Sequence, residues 1–156
     1  MAITIRQIKL EEVYISVLQA RLVKNEEGWY RMAPVRHEVR PSGSIIMDAL
    51  VALLNERRYY YPKQVADCLQ QKTADLDGAV RVLTGMSLAR FMSLYRFEQV
   101  CEYLACTSLT ATEIASRCAY PNPSTMGYLF RREFGITPGT YRSSHRPANY
   151  AEIYRW

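Results

Sequence analysis

The feature that most limits how this chain can fold is a repeat within it. Val65, Ala66 and Leu69 have the same i, i+1, i+4 spacing as Ile114, Ala115 and Cys118. Each triplet leads through a polar break into a second apolar stripe, Leu76, Ala79 and Val80 in the first copy and Met126, Leu129 and Phe130 in the second. The copies close alike, on Thr84-Gly85-Met86-Ser87 and Phe134-Gly135-Ile136-Thr137. The offset is 49 residues from Val65 to Ile114 and 50 from Leu76 to Met126, so the second turn is one residue longer. Apolar residues three and four apart mark helices that bury one face, and two such helices joined by a short turn form a helix-turn-helix unit. The chain duplicates that unit, and two copies are too few for a solenoid.

Between the copies, residues 87 to about 106 read as one long helix capped by Ser87. At 100° per residue, Leu88, Phe91, Met92 and Tyr95 gather on one side and Phe97, Val100, Cys101 and Leu104 on nearly the opposite side. Such a helix serves two cores, and a bridge of this kind would hold two units at a fixed separation. Upstream, Ser44 is placed to cap a helix striped by Ile46, Leu50, Leu53 and Leu54, and Pro62 suits the first position of the next. Residues 1–43 end in the turn formers Arg40-Pro41-Ser42-Gly43, read as a linker. Before them two readings stay open: a helix over Leu10–Lys24, or a hairpin of Tyr14–Val23 with Trp29–Val39 around Gly28.

The expected fold is therefore mainly α. Two helix-turn-helix subdomains, about 62–84 and about 110–134, are joined by a linker helix at about 87–106 within a domain spanning 44–143. A short N-terminal extension of uncertain structure, 1–43, precedes it, and a tail, 144–156, follows.

Composition narrows the classes of function. A chain of 156 residues with 49% apolar and 22% charged residues suits one globular domain with a real core. The longest apolar run, Ile45–Met47 and Ala49–Leu54, is broken by Asp48 and falls far short of the roughly 20 residues of a membrane helix. Arg6, Lys9, Glu11 and Glu12 interrupt any secretory leader, so a cytoplasmic location is expected. The net charge of +5 favours an anionic partner without choosing one. Cys68, Cys101, Cys106 and Cys118 form no CxxC pair and are read as small apolar residues of helical cores, so no metal or cofactor is expected. No nucleophile with a base and an orienting group, and no phosphate loop, is spaced for catalysis, so the chain is read as a non-enzyme. Tyr59-Tyr60-Tyr61 is read as partly buried packing rather than a stacking platform for single strands.

The second copy carries the most chemistry. Thr110 with Glu113 three residues on forms a capping box, and Asn122-Pro123 starts the next helix, so two helices are written locally. Met126, Leu129, Phe130 and Phe134 are expected to face the core. That leaves Ser124, Gly127, Tyr128 and Arg131 outward, with Thr125 and Arg132 beside them. Arg can fork onto guanine acceptors, Ser and Tyr can bond bases or phosphates, and Gly permits close approach, which suits a DNA major groove. Arg117, Arg142 and Arg146 are placed to add phosphate contacts, as are Lys72 and Arg81 of the first copy. Taken alone, arginines on an exposed face equally serve to solvate it.

The string from Thr110 to Arg142 adds a resemblance. Glu113-Ile114-Ala115, then Tyr120, Met126 with Phe130, Arg131-Arg132, and Phe134-Gly135-Ile136-Thr137-Pro138-Gly139-Thr140-Tyr141-Arg142 resemble the second helix-turn-helix of AraC/XylS transcription regulators. Phe91 and Arg96 sit where that family usually has an aromatic and an arginine. The likeness covers about Ser44 to Ser143. It implies a bacterial, nucleoid-associated regulator that binds double-stranded DNA in a sequence-specific way, and RNA polymerase or another regulator as further partners. Ala119 replaces a turn glycine and Met126 an aromatic, both tolerable changes. The first copy departs further: Asp77 and Gly78 stand where the second has Gly127 and Tyr128, and Val80 replaces a large aromatic. A carboxylate there repels phosphate. The second unit is therefore expected to carry most of the DNA affinity, the first serving as scaffold or protein-binding surface. Larger members carry a sensor domain that residues 1–43 cannot build, so no small-molecule effector is expected. The rival reading is a degenerate helix-turn-helix module used for protein–protein interaction.

Overall fold

The computed structural model describes residues 2–156. In chain order its elements are α1 (Leu10–Val13), β1 (Ala20–Lys24), β2 (Tyr30–Pro34), α2 (Ile45–Glu56), α3 (Pro62–Cys68), α4 (Thr73–Thr84), α5 (Leu88–Cys106), α6 (Ala111–Arg117), α7 (Pro123–Phe134), α8 (Pro138–His145), α9 (Tyr150–Ile153) and β3 (Tyr154–Arg155). The chain divides into two compact units: residues 2–15 with Glu38–Arg96, and Ser16–His37 with Phe97–Trp156. The fold is mainly helical, as expected, and the long helix α5 supplies residues to both units.

The duplication is written into the backbone. α3 and α6 have 7 residues each, and α4 and α7 have 12 each. Between the paired helices lie residues 69–72 in one copy and 118–122 in the other, which is the single extra turn residue. α4 and α7 both stop on a glycine at φ 75°, Gly85 and Gly135, whose amides return to the carbonyls of Arg81 and Arg131. A side chain in that left-handed conformation would crowd the backbone, so glycine ends the helix without strain. The turns between helices use the same conformation without glycine. Gln70 lies at φ 55° and Ala119 at φ 65°, and the following amides, of Gln71 and Tyr120, each bond back at 2.9 Å, to Ala66 and Ala115.

In the first unit, Met47, Leu50, Val51, Val65, Ala66, Leu76, Val80, Leu88, Phe91, Met92 and Tyr95 close a core. Ile8, Leu10, Val13 and Ile15 are buried in the same cluster. The Ile8 amide donates to the Leu83 carbonyl at the end of α4 (2.7 Å), and the Ile15 amide donates to the Tyr95 hydroxyl (3.4 Å). Residues 2–15 are thus part of the first helix-turn-helix unit. Full burial of such a side chain is worth about 1.5–3 kcal/mol. The Ser44 hydroxyl accepts from the Met47 amide and starts α2 where the sequence places it. Arg96 is buried, with its guanidinium 4.5 Å from the Tyr60 ring centroid and one N–H donated to the Tyr60 carbonyl.

The second unit buries Phe97, Val100, Leu104, Ile114, Ala115, Cys118, Tyr120, Met126 and Phe130. Of the two readings of residues 10–39, the hairpin forms and the helix shrinks to α1. β1 pairs antiparallel with β2, and β3 joins on the other side of β1 to give the order β2-β1-β3. The sheet rests on the end of α5: the Val17 amide and the Ser16 hydroxyl donate to the Glu102 carboxylate at 2.6 and 2.8 Å. Residues 144–156 finish α8 and form α9 and β3, with Tyr150 and Trp156 stacked at 6.2 Å.

The cysteines follow expectation only in part. Cys106 and Cys118 are buried and Cys101 half-buried, but Cys68 is exposed at the end of α3 because it falls off the Val65–Ala66 face. Burial pushes the Cys101 and Cys106 thiols up to about 11, so neither ionises near neutral pH. Among the described residues, no helix is long and apolar enough to cross a membrane.

The left-handed turn residues make a direct test. For a residue with a Cβ this conformation costs roughly 1–2 kcal/mol relative to glycine. Ala119→Gly and Gln70→Gly should each stabilise the chain by about 1 kcal/mol, read as a higher midpoint in denaturant titration with an unchanged slope.

Candidate nucleic-acid interface

The second helix-turn-helix is held by local bonds that the sequence announces. The Thr110 hydroxyl accepts from the Glu113 amide (3.2 Å), while the Glu113 carboxylate accepts from the Thr110 amide (2.7 Å) and hydroxyl (2.9 Å). Those bonds hold the Glu113 carboxyl below its ordinary range. The Asn122 side chain accepts from the Thr125 amide at 2.7 Å, with Pro123 opening α7.

On α7, Met126 and Phe130 are sealed and Leu129 is half-buried. Phe134 differs from expectation: it is 41% exposed, at the edge of an aromatic cluster rather than within the core. Its ring packs against Phe97 (5.6 Å), Phe130 (4.5 Å) and Tyr141 (6.2 Å), so one face is covered and the other is wet. The opposite stripe is open. Ser124, Arg131 and Arg132 are exposed, Tyr128 is 67% exposed, and Thr125 and Gly127 are half-buried. A Cβ added at Gly127 would meet nothing within 4 Å, so the bare position is not required by packing. Arg131 and Arg132 enter no ion pair among the described residues. α7 therefore presents hydroxyls, a bare backbone position and two uncommitted guanidinium groups along one face.

Other residues that the sequence offers as phosphate contacts have internal duties. Arg142 spends Nε on the Leu104 carbonyl (3.1 Å) and Nη2 on those of Tyr103 (3.4 Å) and Leu109 (2.7 Å). A cation at the end of α5 satisfies carbonyls that have no helical partner and favours the negative end of the helix dipole. Arg146 donates to the Thr107 carbonyl (3.4 Å) and lies 4.4 Å from the Tyr150 ring centroid. These two stabilise the second unit. The closing motif has the same character: Thr137 caps α8 through the Thr140 amide, Pro138 opens it, and Tyr141 meets the Phe130 ring at 5.5 Å. Arg117 remains exposed at the end of α6, 5.8 Å from the Tyr103 ring centroid.

In the first copy, Asp77 has a role that the sequence does not reveal. Its carboxylate accepts from Arg81 Nε (2.7 Å) and from the Leu88 amide at the start of α5 (2.9 Å). It joins α4 to the start of α5, and it draws Arg81 along the surface of α4. Lys72, the residue before α4, is exposed. Sequence reasoning misses these links because Asp77 to Leu88 and Arg142 to Tyr103 lie beyond any helical spacing.

Two substitutions separate fastening from recognition. Arg142→Ala leaves half-buried carbonyls unpaired and should lower stability by about 1–2 kcal/mol, whereas Arg131→Ala should change it by less than about 0.5 kcal/mol, both read by denaturant titration. Asp77 is held below its ordinary pKa by Arg81 and then by the Leu88 amide. Its contribution is present above the unfolded carboxylate value, about 3.9, and fades as pH falls through the lower folded value. The thermal midpoint of Asp77→Ala should lie below that of the native chain at pH 6, and the gap should narrow as pH falls below the unfolded carboxylate value, about 3.9.

Comparison with known proteins fits this geometry. A family model described as a helix-turn-helix domain matches residues 65–144. The HTH-type transcriptional activator RhaR of Cronobacter sakazakii is 29% identical over 115 residues, which are 69% of this chain and 41% of RhaR. This chain thus spans well under half the length of that relative. The C-terminal domain of AraT, a response regulator from Geobacillus stearothermophilus, superimposes with a TM-score of 0.61 at 23% identity, over 68% of this chain and 89% of that domain. The DNA-binding domain of the global transcriptional factor AdpA, solved in complex with a target DNA, gives a TM-score of 0.56 at 23% identity, over 64% of this chain and 90% of that one. The two structures establish the shared fold, and the family model with the motifs above establishes the kinship: this chain belongs to the AraC/XylS family of helix-turn-helix transcription regulators.

Proposed function

We propose that the chain binds double-stranded DNA in a sequence-specific way, with α7 in the major groove as the main reader. One observation carries this reading. Among the described residues, the α7 stripe of Ser124, Thr125, Gly127, Tyr128, Arg131 and Arg132 enters no ion pair, while Arg142, Arg146 and Asp77 are engaged within the fold. Arg131 and Arg132 supply forked donors for guanine or phosphate, Ser124 and Thr125 hydroxyls for bases or backbone, and Gly127 a close approach. Arg117 adds a phosphate contact beside them, and Lys72 one from the first unit. AdpA's solved complex with a target DNA supports the same use of the shared fold. The DNA-binding portion is residues 44–143, completed by the buried side chains of residues 2–15. The protein works in the cytoplasm, at the bacterial nucleoid, with RNA polymerase or another regulator as a further partner.

The first unit serves chiefly as scaffold. α4 ties Arg81 to Asp77, and its outward Val82 is 52% exposed, a surface better matched to protein than to phosphate. That observation favours protein contact at α4 as a second role, and protein binding alone is the reading to test against.

Titration of mixed genomic fragments at low and moderate salt distinguishes the two, since each neutralised phosphate contributes about 0.9 to the slope of log affinity against log salt. The native chain should bind at low salt and weaken steeply, and Arg131→Ala should reduce affinity by about 1–3 kcal/mol. Gly127→Ala should bind more weakly although the helix gains about 1 kcal/mol. Binding that ignores salt, or is absent at low salt, would return the chain to a protein-interaction module.

A further inference from the structure

The hairpin of the second unit has no part in the helical reading of DNA, yet its chemistry is that of a nucleic-acid surface. β2 is the outer strand and pairs only with β1. The Val35 amide donates to the Gln19 carbonyl and the Asn25 amide to the Trp29 carbonyl. Bonded pairs alternate along an antiparallel ladder. Arg31 and Ala33 therefore bond inward, and the amides of Tyr30 and Met32 point to the open edge. Beside those donors, Trp29 and Tyr30 are 72% and 65% exposed, and Lys24 Nζ lies 5.7 Å from the Tyr30 ring centroid. Arg21, Lys24, Arg31 and Arg36 are all exposed, and none enters an ion pair among the described residues. Cations neutralise phosphates, and exposed aromatics pack on sugars and bases.

The sheet is fixed where the helix-turn-helix begins. β3 pairs with β1, and Glu102 of α5 holds Ser16 and Val17 just before β1, so the strands start from the last turns of α5. Only residues 107–110 separate that end from α6. In a helix-turn-helix the first helix crosses the phosphate backbone beside the groove that the second occupies. A strand of five residues reaches ~17 Å, about half a helical turn of ~34 Å. Glu26 and Glu27 sit in the turn and repel phosphate, which directs contact to the β2 edge instead of the apex.

We propose that the β1–β2 hairpin is a second DNA-contacting element: its open edge lies on the phosphate backbone flanking the α7 site, through the Tyr30 and Met32 amides, with Arg31 and Trp29 on one face of that edge and Lys24, reaching over the Tyr30 ring from β1, on the other. This rests on the DNA-binding reading above. The test uses the full chain and a mixed-sequence duplex three helical turns long, followed by anisotropy across a salt series. Lys24→Ala with Arg31→Ala should make the log–log salt slope shallower by about 2. In a Trp156→Phe background, Trp29 emission should be quenched on adding duplex. The substituted side chains are exposed, and the thermal midpoint is read first; if the double variant melts early, Lys24→Gln with Arg31→Gln is read for the same slope. If Arg131→Ala weakens binding but the hairpin variant keeps the native slope and Trp29 emission does not move, the hairpin proposal is overturned and the α7 reading stands. If the native chain binds no duplex even at low salt, both fall together.

Discussion

The fold depends on the burial required by α5. A helix of 19 residues with apolar side chains on two nearly opposite sides cannot be covered by a single core. Leu88, Phe91, Met92 and Tyr95 are satisfied by the first unit, and Phe97, Val100 and Leu104 by the second. Each unit in turn borrows from outside its helix pair. The first takes Ile8, Leu10, Val13 and Ile15, and the second takes a three-stranded sheet drawn from both ends of the chain. A helix-turn-helix is too small to close a core alone, and the flanking segments supply what is missing.

Polar groups show the same division between fastening and display. Arg142, Arg146, Arg96 and Asp77 are charged, yet each answers a backbone group or an aromatic face within its own unit. The closing motif that carries the family likeness is mostly of this kind: cap, helix-opening proline, aromatic wedge and carbonyl clamp. It identifies the scaffold. The α7 stripe is the complement, with side chains the fold leaves unused. A motif can thus be a strong sign of kinship because its residues fasten the fold.

How legible all this was in the sequence depends on distance along the chain. The capping box of Thr110 and Glu113, the Asn122 cap and the glycine stops act within one turn of helix, so residue type and spacing reveal them. The two faces of α5 follow from one angle, 100° per residue. Phe134 shows where that angle runs out: it lies on the buried stripe, but at a helix end where the neighbouring wall has stopped. Residues 10–39 admit two readings because a short, half-exposed segment satisfies both periodicities, and the strand that completes the sheet, β3, comes from Tyr154 and Arg155. The duties of Asp77 and Arg142 are also non-local, and a charged residue with an unseen partner looks the same as one with none.

The pairing of β1 with β3 also bears on how the second unit assembles. α6 and α7 can form from near neighbours, since their caps and stops lie within a few residues. Joining Ala20 and Arg21 to Arg155 and Tyr154 instead closes a loop over most of the chain. The entropy of that closure must be met before any strand contact rewards it. The helical pair can therefore be ordered while the sheet is still open, so the order of assembly follows contact separation rather than position in the sequence.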